Sequence, residues 1–192
     1  MLSVNQVFRM GELRKRLLWS GTEQAVWIDI DLDTALPESI SVAELERLII
    51  EGELESIGDP FEETVLREVE AGSPDQLKRD EAWAMLADYM HDPQLFVRRP
   101  RGLIVGSIMQ RHGVTKQTVY RLLRRYWQRG MCRNALLPDY VNSGARGKRR
   151  RPNRAKLGRP RVVMAGKGRN VTPDIERIFR RVIEERLLKE KH

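Results

Sequence analysis

At 192 residues the chain is long enough for one or two small domains with cores of their own. The net charge of +8 conceals an asymmetry: residues 1–95 carry 8 Lys/Arg against 21 Asp/Glu, and residues 96–192 carry 27 against 6. An acidic half joined to a basic half points to one end that meets a polyanion and one that does not. A single cysteine, Cys132, excludes an internal disulfide and a cysteine-rich zinc site, and it fits a reducing cytoplasm. The sequence has no apolar run near the ~20 residues of a membrane span and no signal-peptide pattern at its start, so a soluble, cytoplasmic chain is expected.

The acidic half opens on short apolar clusters broken by Gly11 and Gly21, which reads as β structure. In AVWIDIDLD, Val26, Ile28, Ile30 and Leu32 alternate with Trp27, Asp29, Asp31 and Asp33, the period of a half-buried strand with its aspartates on the wet face. A calcium loop also begins D-x-D-x-D, but it needs Gly where Thr34 stands and Glu where Ile40 stands. The metal reading fails on both. Ser41 and Glu44 have capping-box spacing and Gly52 supplies a stop, predicting a helix from about 42 to 51 with Val42, Leu45, Leu48 and Ile49 buried. Residues 59–72 are acidic and weakly patterned, as in a linker. Ser73, Pro74 and Gln76 then begin a helix reaching about Met90, with Leu77, Ala82, Met85, Leu86 and Tyr89 among its buried positions.

Pro100 opens the next predicted helix, ending near His112, with Leu103, Ile104, Ile108 and Met109 inward. Gly113 supplies a helix-to-helix turn and Thr115 a cap for a helix over 116–129. Val119, Leu122, Leu123 and Tyr126 give that helix one apolar face, and Lys116, Gln117, Arg121, Arg124, Arg125 and Gln128 fall mostly on the other. Any amphipathic surface helix with a solvated basic side shares that pattern. The short turn before it and the basic segment after it favour a helix-turn-helix recognition helix, whose N-terminal residues stand nearest the base edges. Lys116, Gln117 and Arg121 are therefore candidate base readers. Thr115, Thr118 and Tyr120 are candidate phosphate or packing contacts, and Arg124, Arg125 and Arg129 candidate phosphate contacts. Trp127 reads as a core anchor.

From Val141 to Asn170 there are 11 Lys/Arg and no Asp/Glu, with Gly and Pro interspersed, a segment with too little apolar surface to fold alone. Within it KLGRPR has the Gly-Arg-Pro-Arg core of an AT-hook, which sits in a narrow A·T minor groove. Arg146, Lys148, Arg149, Arg150, Lys156, Arg159 and Arg161 are its candidate DNA contacts. Thr172, Pro173 and Asp174 start a last helix with Ile175, Ile178, Phe179, Val182 and Ile183 as its stripe, and nothing after it completes a bundle.

VTKQTVYRLLRRYWQRG, then NALLPDY and NSG, KLGRPR and VTPDIERIFR, in that order, resemble the N-terminal region of the TnsB-like transposases. These are the DDE-type, end-binding and strand-transferring enzymes of heteromeric cut-and-paste elements. The match is close from about Val114 to Leu188 and loose before residue 74. The resemblance implies an α+β multidomain chain: a small β-rich domain with one helix (1–58), a linker (59–72), a helix-turn-helix domain (73–130), an extended basic linker (131–170), and the first helix of a truncated second DNA-binding domain (171–192). It implies double-stranded transposon-end DNA as partner, a bacterial, nucleoid-associated setting, and TnsA and TnsC as partners of the full-length parent. The parent's RNase H-like domain, with its Asp-Asp-Glu triad and Mg2+, is absent from this reading, so no cofactor and no catalysis are expected of these residues. The rival is a free-standing helix-turn-helix transcription regulator, which predicts a palindromic operator and a dimer. An enzyme in its own right fares worst, because His91, His112 and His192 are isolated and no nucleophile–base pair or phosphate loop occurs.

Overall fold

A computed structural model describes residues 2–139 and 170–188, in two compact units that divide between Tyr140 and Val141. The candidate arm residues Arg146, Lys148, Arg149, Arg150, Lys156, Arg159 and Arg161 lie outside the described residues. The first unit begins with strands β1 (Val7–Met10), β2 (Leu13–Ser20), β3 (Gln24–Asp29) and β4 (Glu38–Ser41). Helix α1 (Val42–Ile50) and strand β5 (Glu55–Ile57) follow, and the five strands form one sheet in the order β4-β3-β2-β1-β5, every neighbouring pair antiparallel. Met10 pairs with Leu13, so Gly11 and Glu12 close β1 to β2, and Gly11 adopts the positive φ (58°) that two-residue hairpin turns need.

The alternation read in β3 is real, but its second face is not wet. Ala25 and Trp27 pack with Phe8, Leu17, Leu45, Leu48 and Leu54, beneath α1. Val26 and Ile28 face the other way into a second core shared with the helices that follow. The strand is buried on both sides because another layer covers each one. Its aspartates have a different use: the strand ends at Asp29, whose Oδ1 accepts the N–H groups of Asp31 and Leu32 and so turns the chain. Asp31 pairs with Arg14. In α1, Ser41 Oγ accepts the Glu44 N–H as expected (3.1 Å), and Leu45 and Leu48 are buried. Ile49, expected inside, is 38% exposed at the edge of the stripe.

Residues 59–72 contain a short helix, α2 (Glu62–Leu66), in a stretch that has no clear helical period in the sequence. Next come α3 (Pro74–Leu86), α4 (Arg98–His112) and α5 (Lys116–Gln128). Ser73 Oγ caps α3 by accepting the Gln76 N–H (3.2 Å), while the Gln76 side chain accepts the N–H of Gly72. Helix α4 starts two residues before Pro100, which sits in the first turn where its missing N–H leaves no helical bond unmade. Its buried positions are Arg101, Val105 and Ile108. Leu103 lies on the opposite side and is 78% exposed, contrary to expectation. Leu77 of α3 is likewise exposed, because five residues before Ala82 is about 140° away around a helix.

The second core decides the architecture. It joins Leu18, Val26, Ile28 and Ala35 from the sheet half to Ala82, Leu86, Ile108, Val119, Leu123 and Trp127 from the helices. Ala135 and Leu136, in a 3-10 turn at Arg133–Leu136, and the next residue, Leu137, are also buried, although the extended linker is expected to begin at 131. The second unit contributes α6 (Pro173–Ile183), capped by Thr172, whose Oγ1 accepts the Ile175 N–H (3.4 Å). Ile178, Phe179, Val182 and Ile183 are exposed on it.

Candidate nucleic-acid interface

Helix α5 is placed by its two ends. At the first, Gly113 ends α4 in the left-handed region (φ 64°) and donates its N–H to Met109 O (2.9 Å). Thr115 then caps α5: its Oγ1 accepts the Thr118 N–H (3.3 Å) and lies 3.0 Å from the Thr118 hydroxyl. The apolar stripe predicted from spacing is buried throughout, at Val119, Leu122, Leu123, Tyr126 and Trp127. Trp127 is 1% exposed with its ring 6.2 Å from that of Phe96, so it is the core anchor the sequence implies.

Opposite that stripe, Lys116, Gln117 and Arg121 are exposed, and Thr118, Tyr120, Arg124 and Arg125 are half-buried. Gln117, Arg121 and Arg124 stand at i, i+4 and i+7, so their side chains share one face. No carboxylate among the described residues pairs with Lys116, Arg121 or Arg124, although most other arginines of the first unit are paired. Thr118 shares its hydroxyl with the cap, and the Tyr120 ring lies 6.0 Å from Lys116 Nζ.

The sequence reading missed the loop between β3 and β4 as a neighbour of this face. Asp33 and Thr34 line one cleft with Gln117, Arg121 and Arg124. Thr34 and Leu36 line an adjoining one with Lys116, Gln117 and Tyr120, and Arg98 and Arg101 complete that wall. Ala35, buried in the shared core, fixes the loop there. Nothing in the residues 33–36 announces this placement, which follows from long-range packing alone. Arg101 itself is buried and donates to the carbonyls of Leu95 and Phe96, a structural use.

At its second end α5 is tied to the sheet half. Gln128 Nε2 donates to the carbonyls of Asp29 and Leu32 (2.9 Å each). Arg16, fully buried on β2, donates from Nε to Gln128 O (3.1 Å), one of the carbonyls that a helix C-terminus leaves unpaired. The same guanidinium donates to Asn5 O and, through both terminal nitrogens, to Asp59 (2.8 and 2.6 Å). Burial raises the Asp59 carboxyl, but the bonds from Arg16 and the Phe61 N–H outweigh it and hold its pKa below the usual carboxylate range. Arg125 and Arg129 both donate to Asp139, and the Arg129 guanidinium lies over the Phe61 ring (5.6 Å). Hydrogen bonding from Arg129 lowers the Asp139 pKa, and desolvation lowers that of Arg125.

Residues 1–60 match the family model of the TnsB N-terminal SH3-like domain, and residues 79–140 match that of the TnsB second domain. All 192 residues align at 40% identity with the transposon Tn7 transposition protein TnsB of Escherichia coli, covering 27% of that protein's length. The chain belongs to the TnsB-like transposases. It corresponds to their N-terminal region, so Arg16 and Asp59 come from one TnsB segment and Gln128 and Asp139 from the next. These two segments share a core in the first unit, and Arg16, ion-paired with Asp59 in the first segment, donates to Gln128 O of the second. Among the described residues, no cluster of three His, Cys, Asp or Glu side chains is placed to hold a metal ion, and no helix is long and apolar enough to cross a membrane.

Proposed function

We propose that this chain binds double-stranded DNA of transposon ends in a sequence-specific way, with the N-terminal half of α5 in the major groove. Lys116, Gln117 and Arg121 read base edges. Gln pairs bidentately with adenine and Arg with guanine, each pair discriminating by about 1–3 kcal/mol. Thr115, Thr118, Tyr120 and Arg124 position the helix against phosphates. The observation that carries this reading is the exposed polar face of α5, whose Lys116, Arg121 and Arg124 have no acidic partner among the described residues although it belongs to a rigid, fully packed helix. Cations left unpaired on a pre-organised element are what binding to a polyanion requires.

The basic arm adds affinity and A·T preference through Arg159 and Arg161 in the minor groove, with Arg146, Lys148, Arg149, Arg150 and Lys156 on phosphates. One molecule then covers one non-palindromic repeat. Selection of bound duplexes from a randomised library tests this: the expected product is a single non-palindromic motif with an A·T-rich flank. A palindrome bound by a dimer would instead support a helix-turn-helix transcription regulator. Strand transfer with Mg2+ and work with TnsA and TnsC belong to our reading of the longer protein, and no residue here is assigned to them.

A further inference from the structure

Between residues 96 and 173 the sequence places 21 Lys and Arg and one acidic residue, Asp139. That lone carboxylate accepts two bonds from Arg129 (Nη1 2.7 Å, Nη2 2.8 Å) and one from Arg125 (Nη2 3.1 Å). Arg121, Arg125 and Arg129 succeed one another at i+4 along α5, so the reading face would continue as a cationic stripe to the end of the helix. Asp139 interrupts it: Arg121 has no acidic partner among the described residues, while the next two arginines are bound to one carboxylate. Phe61, under the Arg129 guanidinium, adds a second constraint on that side chain.

We propose that Asp139 is a specificity-determining residue, which withholds Arg125 and Arg129 from DNA phosphates so that affinity comes from the reading end of α5. Each extra cation on a phosphate strengthens binding to any sequence and steepens its salt dependence by about 0.9 in log K against log salt. A chain with so many cations gains selectivity by holding some of them back. The inference rests on the DNA-binding reading above.

The test is Asp139→Asn in the full chain, titrated with the selected motif and with a shuffled duplex over a salt series. Asparagine keeps an acceptor of the same shape and removes the charge. We expect tighter binding to shuffled duplex, a slope steeper by about 1–2, and a motif preference reduced several-fold, because freed guanidiniums reach phosphates in any register. Adding Arg129→Gln to Asp139→Asn should return about one unit of that slope. Weaker binding to both duplexes, or an unchanged slope, would mean that Asp139 orients these arginines toward DNA or has no part in binding, and would overturn the proposal. Arg125→Gln with Arg129→Gln in the unaltered background gives a check independent of folding around Asp139. Affinity for shuffled duplex within about twofold of the parent supports withholding, and a tenfold loss (slope lower by about two) refutes it. If the parent chain does not distinguish motif from shuffled duplex, the DNA-reading assignment fails, yet the slope changes still report on Asp139.

Discussion

At its N-terminal end α5 presents Lys116, Gln117 and Arg121 to solvent, on a turn set by Gly113, the Thr115 cap and Val114 packed against the core. At its C-terminal end the same helix is held by a buried arginine, a glutamine bonded to two carbonyls of the sheet half, and two arginines on Asp139. On the function proposed above, the locked end sets the pose of the helix and the exposed end reads the DNA. In this arrangement the acidic half is a mount for α5: the sheet supplies one side of the second core, and its β3–β4 loop borders the exposed polar face of the helix.

The largest expected effect comes from removing the lock. Arg16→Met takes the guanidinium donor from Asp59, Asn5 O and Gln128 O, and we expect a loss of about 2–4 kcal/mol in urea unfolding. That is toward the low side for a broken buried pair because Asp59, 26% exposed, keeps contact with water. Motif preference should fall with it even where the chain stays folded, since the reading residues are intact but less well held. A variant of parental stability would show that the lock is decorative. Next, Arg121→Ala should cost about 1–3 kcal/mol of binding and flatten preference at one base pair. Its stability should stay within about 0.5 kcal/mol of the parent, as for exposed sites generally. An equal loss on every sequence would make Arg121 a phosphate clamp.

The smallest effect is one of pH. Asp59 and Asp139 have folded-state pKa values below the ordinary carboxylate value. Their contribution to stability is therefore complete above about pH 4 and is lost as pH falls through their lowered values. Stability in the parent should decline over that acid range, and Arg16→Met should remove part of the decline. An identical pH profile in both chains would separate Asp59 from the lock.

The free end was far more legible in the sequence than the locked one. The cap at Thr115, the left-handed Gly113 and the stripe from Val119 to Trp127 are local signals, set by spacing and by residue chemistry within one turn or two. Arg16, Gln128 and Asp139 act over 112, 99 and 10 residues of separation, and no periodicity reports such pairs. The same limit explains β3. Alternation predicted its two faces correctly, but whether a second face is wet depends on which layer lands on it, and here helices do. Leu77 and Leu103 were misplaced for a simpler reason: their hydrophobicity suggested burial, while helical phase put each off the buried arc.

The most direct test of the account is titration of the intact chain with its selected motif and with a shuffled duplex, at low and at physiological salt. A preference of about 10³ or more for the motif that persists as salt is raised is the predicted result, because base readout adds to phosphate binding. Equal affinity for the two duplexes, collapsing together with salt, would contradict it and leave α5 a basic helix that holds phosphates without reading sequence.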